Sequence, residues 1–63
     1  MQAKPQQLIS ATRLLKEAHD LVSDVETIMG GAGYAEMAQR LKEIAVKLRD
    51  ELHELRQLMG QKP

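Results

Sequence analysis

Two histidines, His19 and His53, carry the side chains in this sequence that most readily bind a metal ion or transfer protons near neutral pH. The run Asp50-Glu51-Leu52-His53 is similar in spacing to the Glu-x-x-His element of di-iron helical bundles. In those bundles the ligands project inward, and matching motifs come from several helices. Here the helical phase directs Asp50 and His53 outward, and the first half of the chain has no matching motif. We therefore expect no metal site and no cofactor.

Nucleophilic catalysis would need a hydroxyl or a thiol beside a general base. The chain has no cysteine, and we expect no histidine at a helical contact spacing from Ser10 or Ser23. A helical core of alanine and leucine also offers no evident substrate pocket. These observations predict that the protein is not an enzyme and takes no small-molecule substrate.

The segment Gly30-Gly31-Ala32-Gly33 is the other feature that could bind a ligand, because glycine-rich loops before helices hold phosphates. A phosphate loop would need a preceding strand and a following lysine, and this sequence has neither. Glu36 would lie in the first turn of the next helix and repel an anion. The segment is therefore predicted to be a turn between two helices.

A straight row of three cations, Lys42, Arg49 and Arg56, recurs every seven residues in the second half of the chain. Such a row can contact RNA phosphates or an acidic protein. It is also typical of positions that flank a coiled-coil core, where basic side chains cover the core edge and pair with carboxylates. We favour the flanking interpretation, since a single aromatic residue leaves little capacity to stack on bases. Two apolar residues outside the main pattern, Ile9 and Val46, are candidate contacts for another protein.

Two helices of nearly equal length position these residues. Pro5 suits a first helical turn, because its missing N–H costs nothing there, and Gly60 followed by Pro63 is typical of a helix end. We predict a single domain over residues 1–63, with helix 1 about 5–29, a turn at 30–33 and helix 2 about 34–59. Apolar residues recur in both helices at steps of three and four, the spacing of a coiled-coil seam. They are Leu8, Ala11, Leu15, Ala18, Val22, Val25 and Met29, followed by Tyr34, Ala38, Leu41, Ala45, Leu48, Leu52, Leu55 and Met59.

A second apolar row flanks each seam and makes the apolar face wider than a two-helix pair can bury. A chain of 63 residues is also too short for two helices to bury much apolar surface alone. Pairing the helices about the turn places Leu15 near Leu48 and Val22 near Leu41. We predict an all-α antiparallel helical hairpin that dimerises into a four-helix bundle. The predicted oligomer interface consists of Leu14, Leu15, Ala18, Leu21, Val22, Val25, Ile28, Leu41, Ile44, Ala45, Leu48, Leu52, Leu55 and Leu58.

In length and hairpin plan, the chain resembles the small plasmid-encoded RNA-binding proteins that dimerise from helical hairpins into four-helix bundles. That resemblance concerns architecture, since no RNA-contacting residue of those proteins aligns with this chain. Our first functional hypothesis is a homodimeric interaction module that acts as an adaptor, regulator or assembly and chaperone factor for another protein. The alternatives are an RNA-binding dimer with a basic helix face, and a structural or designed oligomerisation scaffold. Since no apolar run approaches the roughly 20 residues of a membrane span, we expect a cytoplasmic protein without membrane association.

Overall fold

The computed structural model describes residues 5–60, which form two helices that pack against each other. Helix α1 runs over Pro5–Gly31 and helix α2 over Ala35–Gly60. The pair forms a rod with extents of 48 × 17 × 15 Å, and no strand is present between residues 5 and 60. The predicted all-α helical hairpin is therefore confirmed. Neither α1 nor α2 combines the length and apolar character that a membrane-spanning helix needs.

The turn between the helices is a Schellman motif centred on Gly33. The Tyr34 N–H donates to the Met29 carbonyl at 2.9 Å, and the Gly33 N–H donates to the Gly30 carbonyl at 3.2 Å. These two hydrogen bonds define the Schellman motif, in which the residue after the helix C-cap adopts a left-handed conformation. That residue is Gly33, which has a φ of 93°. Because the cap requires only this glycine, α1 continues through Gly31, two residues beyond its predicted end.

Contacts at the two ends of the hairpin set the register of α1 against α2. At the turn, a Cβ at Gly30 would lie 3.8 Å from the Ala38 Cβ, and at the open end Leu8 and Met59 line the same groove. Equal rise along both helices then places Leu15 opposite Leu52 and Val22 opposite Ala45. The pairs predicted from sequence, Leu15 with Leu48 and Val22 with Leu41, are displaced by about one helical turn. The position of the reversal accounts for this displacement, because the connection at 32–34 is centred later in the chain than the predicted turn at 30–33, and each residue of that shift moves the pairing by two residues.

Little of the hairpin is fully buried. Between residues 5 and 60, only Ala45 and Leu52 fall to 6% exposure, and both lie on the α2 side of the seam. The other α2 residues that α1 covers in part lie on the predicted seam. They are Ala38, Leu41, Leu48 and Leu55.

The seam of α1 differs from the prediction at alternate positions. Leu8, Leu15, Val22 and Met29 are half-buried as expected, but Ala11 and Val25 are exposed. Thr12 lies against α2 in place of Ala11, and Glu26 lies against α2 in place of Val25. Four polar residues of α1 are half-buried, namely Thr12, His19, Ser23 and Glu26, and three of them, Thr12, His19 and Glu26, recur every seven residues. Helix α1 is therefore rotated so that a large part of its apolar surface faces away from α2.

Candidate functional site

One long side of the hairpin is apolar and exposed, and we call it the apolar face. In an antiparallel pair, the residues that flank the seam on one side of the first helix lie on the same side as the equivalent flank of the second. The apolar face is formed by Ala11, Leu14, Leu21, Val25 and Ile28 of α1 together with Met37, Ile44 and Leu58 of α2. Leu21 and Ile28 are each 65% exposed, which is high for large aliphatic side chains.

The predicted oligomer-interface residues occupy two different environments. Six of them are exposed on the apolar face, namely Leu14, Leu21, Val25, Ile28, Ile44 and Leu58. The rest pack wholly or partly between the two helices of the hairpin, namely Leu15, Ala18, Val22, Leu41, Ala45, Leu48, Leu52 and Leu55. A second copy would therefore contact the first group directly and would add to the burial of the second.

The opposite side of the hairpin carries an excess of positive charge, and we call it the basic face. It is formed by Lys42, Arg49 and Arg56 of α2 and by Arg13 and Lys16 of α1, all exposed. Between residues 5 and 60, none of the salt bridges involves Lys42, Arg49 or Arg56. These three cations are therefore available to an anionic partner.

Asp20 is an acidic residue on the basic face, and the side chains of Lys16 and His19 lie beside its carboxylate. Lys16 Nζ lies 3.1 Å from Asp20 Oδ2, and His19 Nδ1 lies 3.3 Å from Asp20 Oδ1. The hydrogen bond from Lys16, followed by the one from His19, lowers the pKa of the Asp20 carboxyl below its ordinary value. Lys16 is therefore partly neutralised, and the free positive charge of the face comes mainly from α2 and Arg13.

Ser23, His19 and Asp20 lie within about one turn of α1. The expectation that no histidine has a helical contact spacing from Ser23 is therefore wrong, because Ser23 stands four residues after His19. A nucleophilic serine would need a hydrogen bond to the ring of His19. Asp20 does contact that ring, but no hydrogen bond joins Ser23 to His19. The backbone N–H groups around them are committed to the helix, so no pair of them points at a common oxyanion. The cluster has two elements of an acid–base relay without a positioned nucleophile.

The other candidate residues are separated from one another. His53 is exposed and accepts a hydrogen bond from Gln57 Nε2 at 3.2 Å. Within residues 5–60, no three histidine or carboxylate side chains converge as metal ligands would. Ile9 and Val46 both lie on the side of the basic face, but about 18 Å apart along the rod, so they do not form one patch.

The open end of the hairpin holds an apolar groove. It has a volume of about 300 Å³ and is lined by Leu8, Ile9, Leu58 and Met59. Thr12 Oγ1 donates to the Leu8 carbonyl at 2.7 Å and lies 3.2 Å from Met59 Sδ, which ties the floor of the groove together. The groove joins the end of the apolar face to Ile9.

Sequence reasoning missed two sets of residues that define these surfaces. Arg13 and Lys16 belong to the basic face, and Thr12, His19 and Glu26 belong to the seam. The seven-residue recurrence of the second set was a signal that could have placed it. For the first set there was no comparable signal, because the rotation of α1 against α2 decides which side its cations face.

Compared with protein-family models, with curated proteins and with solved structures, the chain matches none.

Proposed function

We propose that this chain is a non-enzymatic, cytoplasmic protein-interaction module that self-associates through its apolar face into a four-helix bundle. The observation that carries the proposal is the exposure of Leu14, Leu21, Val25 and Ile28 along the length of one helix. A contiguous apolar surface of this kind marks an interaction site rather than an ordinary surface. It leaves the basic face free for other partners.

The direction of the apolar surface on each helix supports a bundle of four. At about 100° per residue, the centre of the apolar arc on α1 is rotated roughly 80° from the contact with α2. On α2 the same rotation is roughly 30°. In a square arrangement of four helices, the bundle axis lies about 45° from the direction of each neighbour, which falls between these two values. A closed pair would instead need both arcs to point at the partner helix.

A second copy is the occupant we propose for the apolar face, since a two-fold dimer uses the same surface on both subunits. Helix α1 provides most of the contact, because its apolar row is unbroken from Ala11 to Ile28. On α2 the row of Met37, Ile44 and Leu58 is interrupted by Glu51. Two such faces together would shield about a dozen half-exposed aliphatic side chains, comparable with a standard protein interface.

Sedimentation equilibrium over a range of chain concentrations, with circular dichroism on the same samples, tests this proposal. We expect a helical dimer whose helicity falls on dilution, because the monomer cannot bury enough surface. Leu21→Asp should abolish self-association, since it places a charge in the centre of the apolar face. Val46→Asp introduces the same charge on the other side and should leave self-association unchanged. A wild-type chain that stays monomeric and fully helical when diluted would contradict the proposal.

RNA binding is a second candidate function, favoured by the absence of ion pairs on Lys42, Arg49 and Arg56. It would use phosphate contacts alone, because the basic face carries no aromatic side chain. Binding of a single-stranded RNA should then weaken steeply as salt rises, and Arg49→Glu should abolish it while the dimer persists. RNA binding that survives Arg49→Glu would exclude this use of the row.

A further inference from the structure

The basic face has a charge composition very different from that of the whole chain. The chain has nine basic and nine acidic residues, so its formal net charge is zero. Five of the basic residues lie on the basic face, whereas its acidic residues are Asp20, which contacts Lys16 and His19, and Asp24 at the outer edge in helical phase with Arg13. The positive charge is therefore concentrated on the side of the hairpin that the apolar face leaves exposed.

The cations of α2 have a regular spacing that can match a partner. Lys42, Arg49 and Arg56 follow one another every seven residues, which is about 10.5 Å along the helix axis. Carboxylates at every seventh position of a second helix repeat at the same distance. A helix lying along α2 can therefore meet all three cations in register, whereas a partner of irregular charge spacing cannot.

An apolar side chain lies beside this charged row. Val46 is 38% exposed and stands four residues after Lys42 and three before Arg49, so both cations flank it. A nucleic-acid backbone is a chain of charged phosphates and sugars and presents no apolar side chains against which Val46 could pack. An amphipathic helix has an apolar row beside its acidic row, and Val46 can pack against that row.

From these observations we propose that the basic face binds an acidic amphipathic helix of a second protein. Lys42, Arg49 and Arg56 pair with carboxylates spaced seven residues apart on that helix, and Val46 packs against its apolar row. Arg13 adds positive charge on the α1 side. This inference deepens the proposed function by naming the chemistry of the partner, and the surface involved is separate from the one proposed for self-association.

A synthetic helical peptide provides the probe. It has about three heptads, glutamate at every seventh position beside a row of leucines, and a fluorescent label for anisotropy measurements. A peptide of the same composition, with its glutamates moved out of the seven-residue repeat, is the control. We expect the regular peptide to bind at least tenfold more tightly than the control, and its affinity to fall as salt rises from about 20 to about 200 mM. Equal affinity for the two peptides, or no binding of either, would overturn the proposal.

Matched variants of the protein locate the binding surface. Arg49→Gln combined with Arg56→Gln should weaken binding of the regular peptide about tenfold or more. Arg40→Gln combined with Lys47→Gln removes the same net charge from the side of α2 that carries Leu58, where Arg40 lies 3.7 Å from Glu36, and should change the affinity less than twofold. Equal losses in the two double variants would mean that only net charge matters, and the assigned face would then be wrong.

Two further measurements separate this inference from its competitors. Val46→Ser should weaken peptide binding several-fold, because it removes the apolar contact and leaves every charge in place. A single-stranded RNA that binds more tightly than the regular peptide, with an affinity that Val46→Ser leaves unchanged, would assign the face to nucleic acid instead. Sedimentation of the Arg49/Arg56 double variant should show unchanged self-association, so that its loss of peptide binding reports on the basic face. A wild-type chain that forms the dimer but does not bind the regular peptide would overturn this inference and leave the self-association proposal standing.

Discussion

The three glycines near the turn should respond very differently to the same substitution by alanine. Gly33 has a φ of 93°, a left-handed conformation in which a Cβ is strained. That strain is about 1–2 kcal/mol, and alanine recovers about 0.4–1 kcal/mol by restricting the unfolded chain. We therefore expect Gly33→Ala to lower the free energy of unfolding by about 1 kcal/mol. Gly33→Asn should be less harmful, since asparagine tolerates this conformation better than other side chains.

Gly31 and Gly30 are helical and provide matched controls for Gly33. A Cβ at Gly31 would meet no atom within 4 Å, so Gly31→Ala should raise the free energy of unfolding by up to about 1 kcal/mol through helix propensity. At Gly30 the new Cβ would lie 3.8 Å from the Ala38 Cβ, an ordinary van der Waals distance, so Gly30→Ala should be neutral or stabilising. The difference between Gly31→Ala and Gly33→Ala should thus be about 2 kcal/mol.

Urea unfolding followed by far-ultraviolet circular dichroism measures these differences. All variants are compared at one chain concentration, because self-association makes apparent stability depend on concentration. The slopes of the transitions should agree among variants, so that the midpoints report stability alone. If Gly31→Ala lowers the free energy of unfolding as much as Gly33→Ala does, the Schellman motif is assigned to the wrong residues. The pairing of α1 residues with α2 residues would then be wrong as well.

Three other predictions follow from individual side chains. Leu52→Ala should lower the free energy of unfolding by about 2–5 kcal/mol, whereas Val46→Ala, at an exposed position, should lower it by less than about 0.5 kcal/mol. If chemical denaturation gives similar losses for the two variants, the assigned core is wrong. In an NMR pH series, the Asp20 carboxyl should titrate below its ordinary pKa, and Lys16→Gln should raise that pKa. Because a lowered pKa stabilises the folded chain at pH values above the unfolded-state pKa, Asp20 makes a small contribution to stability there. That contribution is lost as the pH falls through the folded-state pKa. Glu51→Leu completes the apolar row of α2 and should lower the dimer dissociation constant about tenfold or more, whereas an unchanged constant in sedimentation would show that this row lies outside the interface.

The parts of the fold that depend on local sequence were predictable. Helix α2 was predicted within one residue of its observed bounds, and every α2 residue that is buried or half-buried lies on its predicted seam. The end of α1 was predicted two residues early, because three glycines in four residues do not reveal which one takes the left-handed conformation. The φ of Gly33 and the hydrogen bonds of Tyr34 and Gly33 identify it.

The candidate surfaces were predictable in part. Heptad spacing identified the row of Lys42, Arg49 and Arg56, and it identified the second apolar row that forms most of the apolar face. It placed Ala11 and Val25 against α2, where Thr12 and Glu26 are found instead. Spacing alone also failed to show that Arg13 shares a side of the hairpin with the α2 cations.

The amino-acid sequence by itself determined the two helices, the position of the reversal and the width of the apolar surface. These properties follow from interactions among residues close in the chain: helical periodicity, glycine at a helix end and the phase of apolar side chains. The tertiary structure decided the register, the rotation of α1 about its axis and the side on which each charge lies. A helical repeat fixes where the apolar arc is centred, but the direction of that arc relative to a neighbouring helix depends on how the two surfaces pack and on how many helices share the core.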